Sequence, residues 1–117
     1  NPFISIDPVL AVPGVRDALA KASAPVIAVS PIVAGDAIKG PTAKMFREMG
    51  TEPSVQAVAA RYQDIVDLMI IDEQDAAAAK DVQALGLGVV TAQTVMRTLE
   101  DKIALAETAL RSLVPPS

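Results

Sequence analysis

A chain of 117 residues with 51% hydrophobic positions and a mean hydropathy of +0.39 has enough apolar material for one folded core, which argues against a disordered chain. Its net charge of −4 and its 3% aromatic content leave neither the basic surface nor the stacking platforms that a nucleic-acid partner needs. It has no Cys and no His, which removes disulfides, thiolate or imidazole catalysis and a zinc site built on Cys or His. Any metal would be a hard ion on carboxylates, a preference that suits magnesium.

Residues 3–6 read as a short strand ended by Asp7-Pro8. Pro13-Gly14 then opens a helix through Ala22, with Val15, Ala18, Leu19 and Ala22 on one face. Residues 26–30 form an apolar strand that runs into the polar, glycine-bearing loop 30–41. Residues 41–49 and 53–63 are helical, the first stopped by Gly50. The apolar run 65–72 is a buried strand, 74–85 an alanine-rich helix ended by Gly86, and 87–91 the last strand. Residues 94–113 form the longest helix, with Leu99, Ile103, Ala106 and Leu110 on one stripe and Pro115-Pro116 after it.

Short apolar strands alternating with amphipathic helices predict an α/β fold of Rossmann-like type: a mainly parallel sheet with flanking helices. Charged residues interrupt every apolar run before membrane-spanning length, and no basic segment followed by an apolar one opens the chain. A soluble, cytoplasmic protein is therefore expected. The opening Asn1-Pro2-Phe3, without an initiator methionine, reads as a piece of a longer chain.

Parallel sheets bind ligands beyond the carboxyl ends of their strands. That rule selects four places: Asn1, Ser5 and Asp7; residues 30–41; Asp72, Glu73 and Asp75; and residues 91–96. Within 30–41, Lys39-Gly40-Pro41-Thr42 brings a cation to a helix start with free N–H groups, which suits a phosphate. It lacks the spacing of a Walker loop, and the simpler account is that Gly35 and Gly40 turn the chain while Lys39 is solvated. Asp72 is a weak magnesium candidate; its better account is a helix N-cap, with Glu73 and Asp75 in the first turn. Arg97, Glu100, Asp101, Lys102 and Glu107 read as the solvated face of the last helix. Met45, Met49 and Met69 read as core filler. Ser5, Ser30 and Thr94 have no His to activate them as nucleophiles.

Four ordered blocks add a resemblance. Asn1-Pro2-x-x-Ser5-Ile6-x-Pro8-x-Leu10-Ala11-x-Pro13-Gly14-x-Arg16 is the first. Ala24-Pro25-Val26-x-Ala28-Val29-Ser30-Pro31-Ile32-x-x-Gly35, with Lys39-Gly40-Pro41-x-Ala43-Lys44-Met45, is the second. Ile71-Asp72-Glu73-x-Asp75 and Thr94-x-Met96-x-Thr98-Leu99-Glu100-Asp101 complete them. Together they resemble the 2-phospholactate (phosphoenolpyruvate) transferase family, with Ala34 standing where that family often has Gly.

The resemblance implies the C-terminal part of a single Rossmann-like transferase domain. The family's N-terminal glycine-rich loop and proposed magnesium-binding acids would lie before Asn1. It implies transfer of a phospholactyl or phosphoenolpyruvyl group from a guanylylated, GDP-type donor to the deazaflavin precursor Fo, with release of GMP, in the making of coenzyme F-420. It further implies magnesium and a homodimer, and an inert fragment when this part stands alone. By motif position, Asn1, Pro2, Ser5, Ser30 and Gly35 would wall the substrates, while Lys39 and the N–H groups after Gly40 would neutralise phosphate charge. Thr94 and Met96 would line the pocket. No catalytic residue and no metal ligand beyond Asp72 is expected within these residues. The alternatives are a non-catalytic nucleotide- or sugar-nucleotide-binding regulator of the same fold, or a scaffold module.

Overall fold

A computed structural model describes residues 1–37 and 41–113. The element order is a π-helical turn (Pro2–Ile6) running into α1 (Asp7–Leu10), α2 (Val15–Lys21), β1 (Ile27–Val29), β2 (Ile32–Val33), β3 (Asp36–Ala37), α3 (Thr42–Glu48), α4 (Val55–Tyr62), β4 (Leu68–Asp72), a 3-10 turn (Glu73–Ala78), α5 (Ala79–Ala84), β5 (Gly88–Ala92) and α6 (Leu99–Ser112).

Three strands form a parallel sheet in the order β1-β4-β5. Ile27, Ala28 and Val29 face Leu68, Met69 and Ile70, and Leu68 through Asp72 face Gly88 through Ala92. Flanked by helices, this sheet is the Rossmann-like α/β arrangement expected. β4 is central and reads as a nearly continuous apolar run, as a parallel strand covered on both faces should. Met69, Ile70 and Ile71 are completely buried. Val55, Val58, Ala59 and Tyr62 of α4, spaced at helical intervals, and Val82 of α5 pack into the same aliphatic core.

The N-terminal strand expected over residues 3–6 does not form; the segment is helical. Asn1 Oδ1 accepts the N–H groups of Phe3 (2.9 Å) and Ile4 (3.4 Å), and Pro2 occupies a first-turn position where its missing N–H costs nothing. The apolar spacing that matters is Phe3 to Leu10, which share a helical face and both pack on the core. Phe3 meets Phe46 of α3 edge-to-face at 4.8 Å and lies 4.5 Å beneath the Arg61 guanidinium.

Two further boundaries move. The helix expected over 74–85 opens as the 3-10 turn before α5. The helix expected from Thr94 begins only at Leu99, because Thr98 and Asp101 form a capping box: Thr98 Oγ1 accepts the Asp101 N–H (3.1 Å) and Asp101 Oδ2 accepts the Thr98 N–H (3.2 Å). α6 packs on β5 and buries Leu105, while Leu99 (66% exposed), Ile103 and Leu110 (64%) of its expected apolar stripe face outward. No helix among the described residues is long and apolar enough to cross a membrane.

Ile71→Ala should therefore lower stability by about 2–5 kcal/mol, seen as a lower urea midpoint. Lys80→Ala, on an exposed position of α5, should stay within about 0.5 kcal/mol.

Candidate functional site

The carboxyl ends of β1, β4 and β5 meet at one edge of the sheet, and two aspartates, one ending β4 and one three residues beyond it, hold the flanking loops there. Asp72, 3% exposed, caps the 3-10 turn by accepting the Gln74 N–H on Oδ2 (3.0 Å). Its Oδ1 accepts both the N–H (2.9 Å) and the hydroxyl (3.0 Å) of Thr94, just beyond β5. Burial works to raise the Asp72 carboxyl, and the donors from Gln74 and Thr94 outweigh it and hold it below its ordinary value.

Three residues further on, Asp75 reaches the other way. Its Oδ2 accepts the Ala34 N–H (3.0 Å) and its Oδ1 the Gly35 N–H (2.9 Å).

The loop after β1 is thus more structured than the sequence implies. Buried Ser30 donates its N–H to the Ile70 carbonyl (2.9 Å) and accepts the Ile32 N–H on Oγ (3.1 Å), which bends the chain into a hairpin. β2 and β3 pair antiparallel, Ile32 with Ala37 and Val33 with Asp36. The two residues between them, Ala34 (φ 53°) and Gly35 (φ 74°), are both left-handed, as a type I′ turn requires.

Ser30, Gly35 and Thr94 are therefore brought to one edge. Met96 is half exposed in the extended segment that follows Thr94. Asn1, Pro2 and Ser5 belong instead to the N-terminal arm: Asn1 caps it, Pro2 is buried and Ser5 is exposed, and Asn1 Nδ2 meets Met45 Sδ of α3 at 3.5 Å. Lys39 and Gly40 lie outside the described residues.

A hollow of about 290 Å³ opens at the ends of β4 and β5, lined by Asp72, Glu73, Gln74, Gln93, Val95 and Arg97. Arg97 was expected on the solvated face of the last helix; it precedes that helix, and its backbone N–H is held by Asp101 Oδ2 (3.0 Å). The Thr98-x-x-Asp101 capping box was the sequence signal for that placement. Gln74 and Gln93 have no sequence signature; only the pairing of β4 with β5 brings them together.

A larger hollow, about 400 Å³, lies beneath the N-terminal arm, lined by Asp7, Leu10, Ala11, Arg16 and Arg61. Both of its cations are already paired, Arg61 with Asp7 and Arg16 with Asp64 through two bonds of 2.9 and 2.7 Å. Asp7 Oδ1 also accepts the Tyr62 hydroxyl (2.7 Å). Burial works to raise the Asp7 carboxyl; the hydrogen bonds from Arg61 and Tyr62, with the Arg61 charge, hold it below its ordinary value. Burial, then that same bond, drives the Tyr62 hydroxyl strongly up. The cluster is a clasp between the arm and α4.

Both Asp72 oxygens accept donors of the protein itself, and no group of three or more acidic side chains placed to hold a metal ion is found among the described residues.

The family description for 2-phospho-L-lactate transferase CofD matches residues 1–107. The chain is 38% identical over 111 residues to a phosphoenolpyruvate transferase of Kitasatospora aureofaciens, a match covering 94% of this chain and 35% of that protein. It is 37% identical over 107 residues to a 2-phospho-L-lactate transferase of Methanocaldococcus jannaschii (92% and 33%). It is 38% identical over 107 to the one of Methanosarcina barkeri (92% and 34%). The chain thus spans about a third of the length of the relatives it matches.

Two outcomes follow from the geometry. Asp7 has a depressed folded pKa, so its contribution is present above the unfolded value of 3.8 and is lost as pH falls below it toward the folded value. Asp7→Asn should cost about 1–3 kcal/mol at pH 7 and narrow the drop in urea midpoint between pH 5 and pH 3. Ala34→Gly relieves a left-handed alanine and should raise stability by about 0.5–1 kcal/mol, read as a higher Tm.

Proposed function

This chain belongs to the family of 2-phospho-L-lactate transferase CofD, and on that premise we propose that its whole protein moves a phospholactyl or phosphoenolpyruvyl group to the deazaflavin precursor Fo. The donor is a guanylylated, GDP-type anhydride, the other product is GMP, and the setting is coenzyme F-420 biosynthesis. These 117 residues supply part of the substrate-binding edge. The observation that carries the reading is the convergence of three parallel strand ends, with the loops after β1 and β5 both fastened to the end of β4. Matched relatives bear both transferase names, so the three-carbon group is left as either.

In the reaction the Fo hydroxyl oxygen bonds to the phosphorus beside the three-carbon acid. The anhydride bond to the GMP phosphate breaks, its electron pair leaves with GMP, and the hydroxyl proton is released. No protein nucleophile is needed, so the lack of His and Cys in these 117 residues is no objection to the step, which depends on positioning and charge neutralisation. The amides of Gln74 and Gln93 beside Arg97 offer hydrogen bonds to an acceptor in the smaller hollow, and buried Ser30 shapes the loop at the end of β1. Magnesium, which the resemblance implies, would be held by residues outside this chain, and the homodimer it implies stands as part of the same proposal.

The test uses the longest polypeptide obtainable from the gene. Fo is titrated by its own fluorescence with GDP and magnesium present. Saturable binding is expected, weakened about three- to tenfold by Ser30→Ala or Lys39→Ala. A folded chain that fails to bind Fo would leave the nucleotide-binding regulator as the better account.

A further inference from the structure

We infer that Asp75 is a positioning residue, which clamps the β2–β3 turn to the end of β4 and thereby sets how tightly the strand edge holds its substrates. The clamp stands on geometry alone; its effect on substrates rests on the transferase reading above.

The two N–H groups at Ala34 and Gly35 belong to successive left-handed residues and point to one side of the turn, the arrangement that makes a small concavity for an anion. The anion found there is the protein's own: one Asp75 oxygen takes each N–H, at 3.0 and 2.9 Å, across 40 and more residues of sequence. Asp75 is not needed where it sits, because Asp72 already caps the 3-10 turn through the Gln74 N–H.

The hairpin does need it. β2 and β3 pair over two residues each, too few to keep their own place, and fully buried Ile32 anchors only the base. Without Asp75 the tip of the turn would hang on its base, where β2 contacts β4 and β3 contacts α3. With it, the path from Ser30 to Gly35 is referred to the same 3-10 turn whose first residue's neighbour, Asp72, holds Thr94. Both sides of the edge then share one frame.

Asp75→Asn keeps the side-chain shape but turns one acceptor oxygen into an NH2 donor facing an N–H donor. Asp75→Glu keeps the charge and both oxygens. In the longest polypeptide of the gene, amide hydrogen exchange at Ala34 and Gly35 should run about tenfold faster in Asp75→Asn, with the amides of Met69 and Ile71 unchanged. The KM for Fo or for the guanylylated donor should rise about tenfold while kcat stays within about twofold, and Asp75→Glu should restore most of both effects. Unchanged exchange at Ala34 and Gly35 overturns the clamp. Faster exchange with KM unaltered, or with kcat alone reduced, overturns the positioning role. Should Asp75→Asn lose protection throughout β4 and β5, Asp75→Ala, which removes both acceptors without adding a donor, carries the same readouts. An absence of transfer by the wild-type protein removes the transferase reading, and exchange alone then decides the clamp.

Discussion

The strand edge depends on carboxylates that bind backbone. Asp72 accepts three donors and Asp75 two, and every one of these is an N–H or hydroxyl of the protein itself. A charged acceptor makes a hydrogen bond stronger than a neutral one does, and a buried carboxylate with all its donors in place avoids the desolvation penalty of an unpaired charge. Within four residues, Asp72 to Asp75, the chain therefore fastens both neighbouring loops to the end of the central strand. The parallel ladder β1-β4-β5 aligns the strands, and these side chains carry that alignment past the last ladder bond into the loops.

The same economy governs the N-terminal arm. Asp7 takes Arg61 and Tyr62, and Arg16 takes Asp64 and the Arg61 carbonyl, so two short helices are held against α4 by charge-assisted bonds around the Phe3 and Phe46 rings. The larger hollow of the structure is the space under this clasp. Size is a poor guide to function here: its arginines are already neutralised, whereas the smaller hollow sits where a parallel sheet places its ligands.

Most of the layered architecture is legible in the sequence, because buried parallel strands and amphipathic helices write their periods into local composition. Val55, Val58, Ala59 and Tyr62 mark α4, and the unbroken run ending at Ile71 marks β4. What misleads is local pattern without local partners. Phe3-Ile4-Ser5-Ile6 looks like a strand only if the Asn1 cap is overlooked, and Thr94 looks like a helix start only if the Thr98–Asp101 box is. In both cases a side chain satisfying backbone N–H groups outweighs apolar propensity in setting the boundary. The stripe of α6 shows a further limit: periodicity finds the amphipathic helix, but Leu105 supplies its buried contact while Leu99, Ile103 and Leu110 face out. The period says that a face exists; it does not say which neighbour meets it.

The site itself is legible as a set of places rather than as a set of bonds. The resemblance names Asn1, Pro2, Ser5, Ser30, Gly35, Lys39, Thr94 and Met96; the sheet brings Ser30, Gly35 and Thr94 to one edge, and apart from the turn that Ser30 Oγ makes with the Ile32 N–H, the bonds that fasten these three are distant in sequence. Asp75 meets Gly35 across 40 positions, Asp72 meets Thr94 across 22, and Arg61 meets Asp7 across 54. An acid in the first turn of a helix has a sufficient local explanation in the helix dipole, so composition alone offers no reason to look further. The structure supplies that reason by showing the dipole's acid already in place at Asp72, which frees Asp75 for a distant loop. Two carboxylates three residues apart, both explicable locally by one helix start, thus do different work: one joins β4 to the loop after β5, the other joins it to the loop after β1. Their division of labour follows from the strand order, because only the central strand of three has a loop on either side to hold.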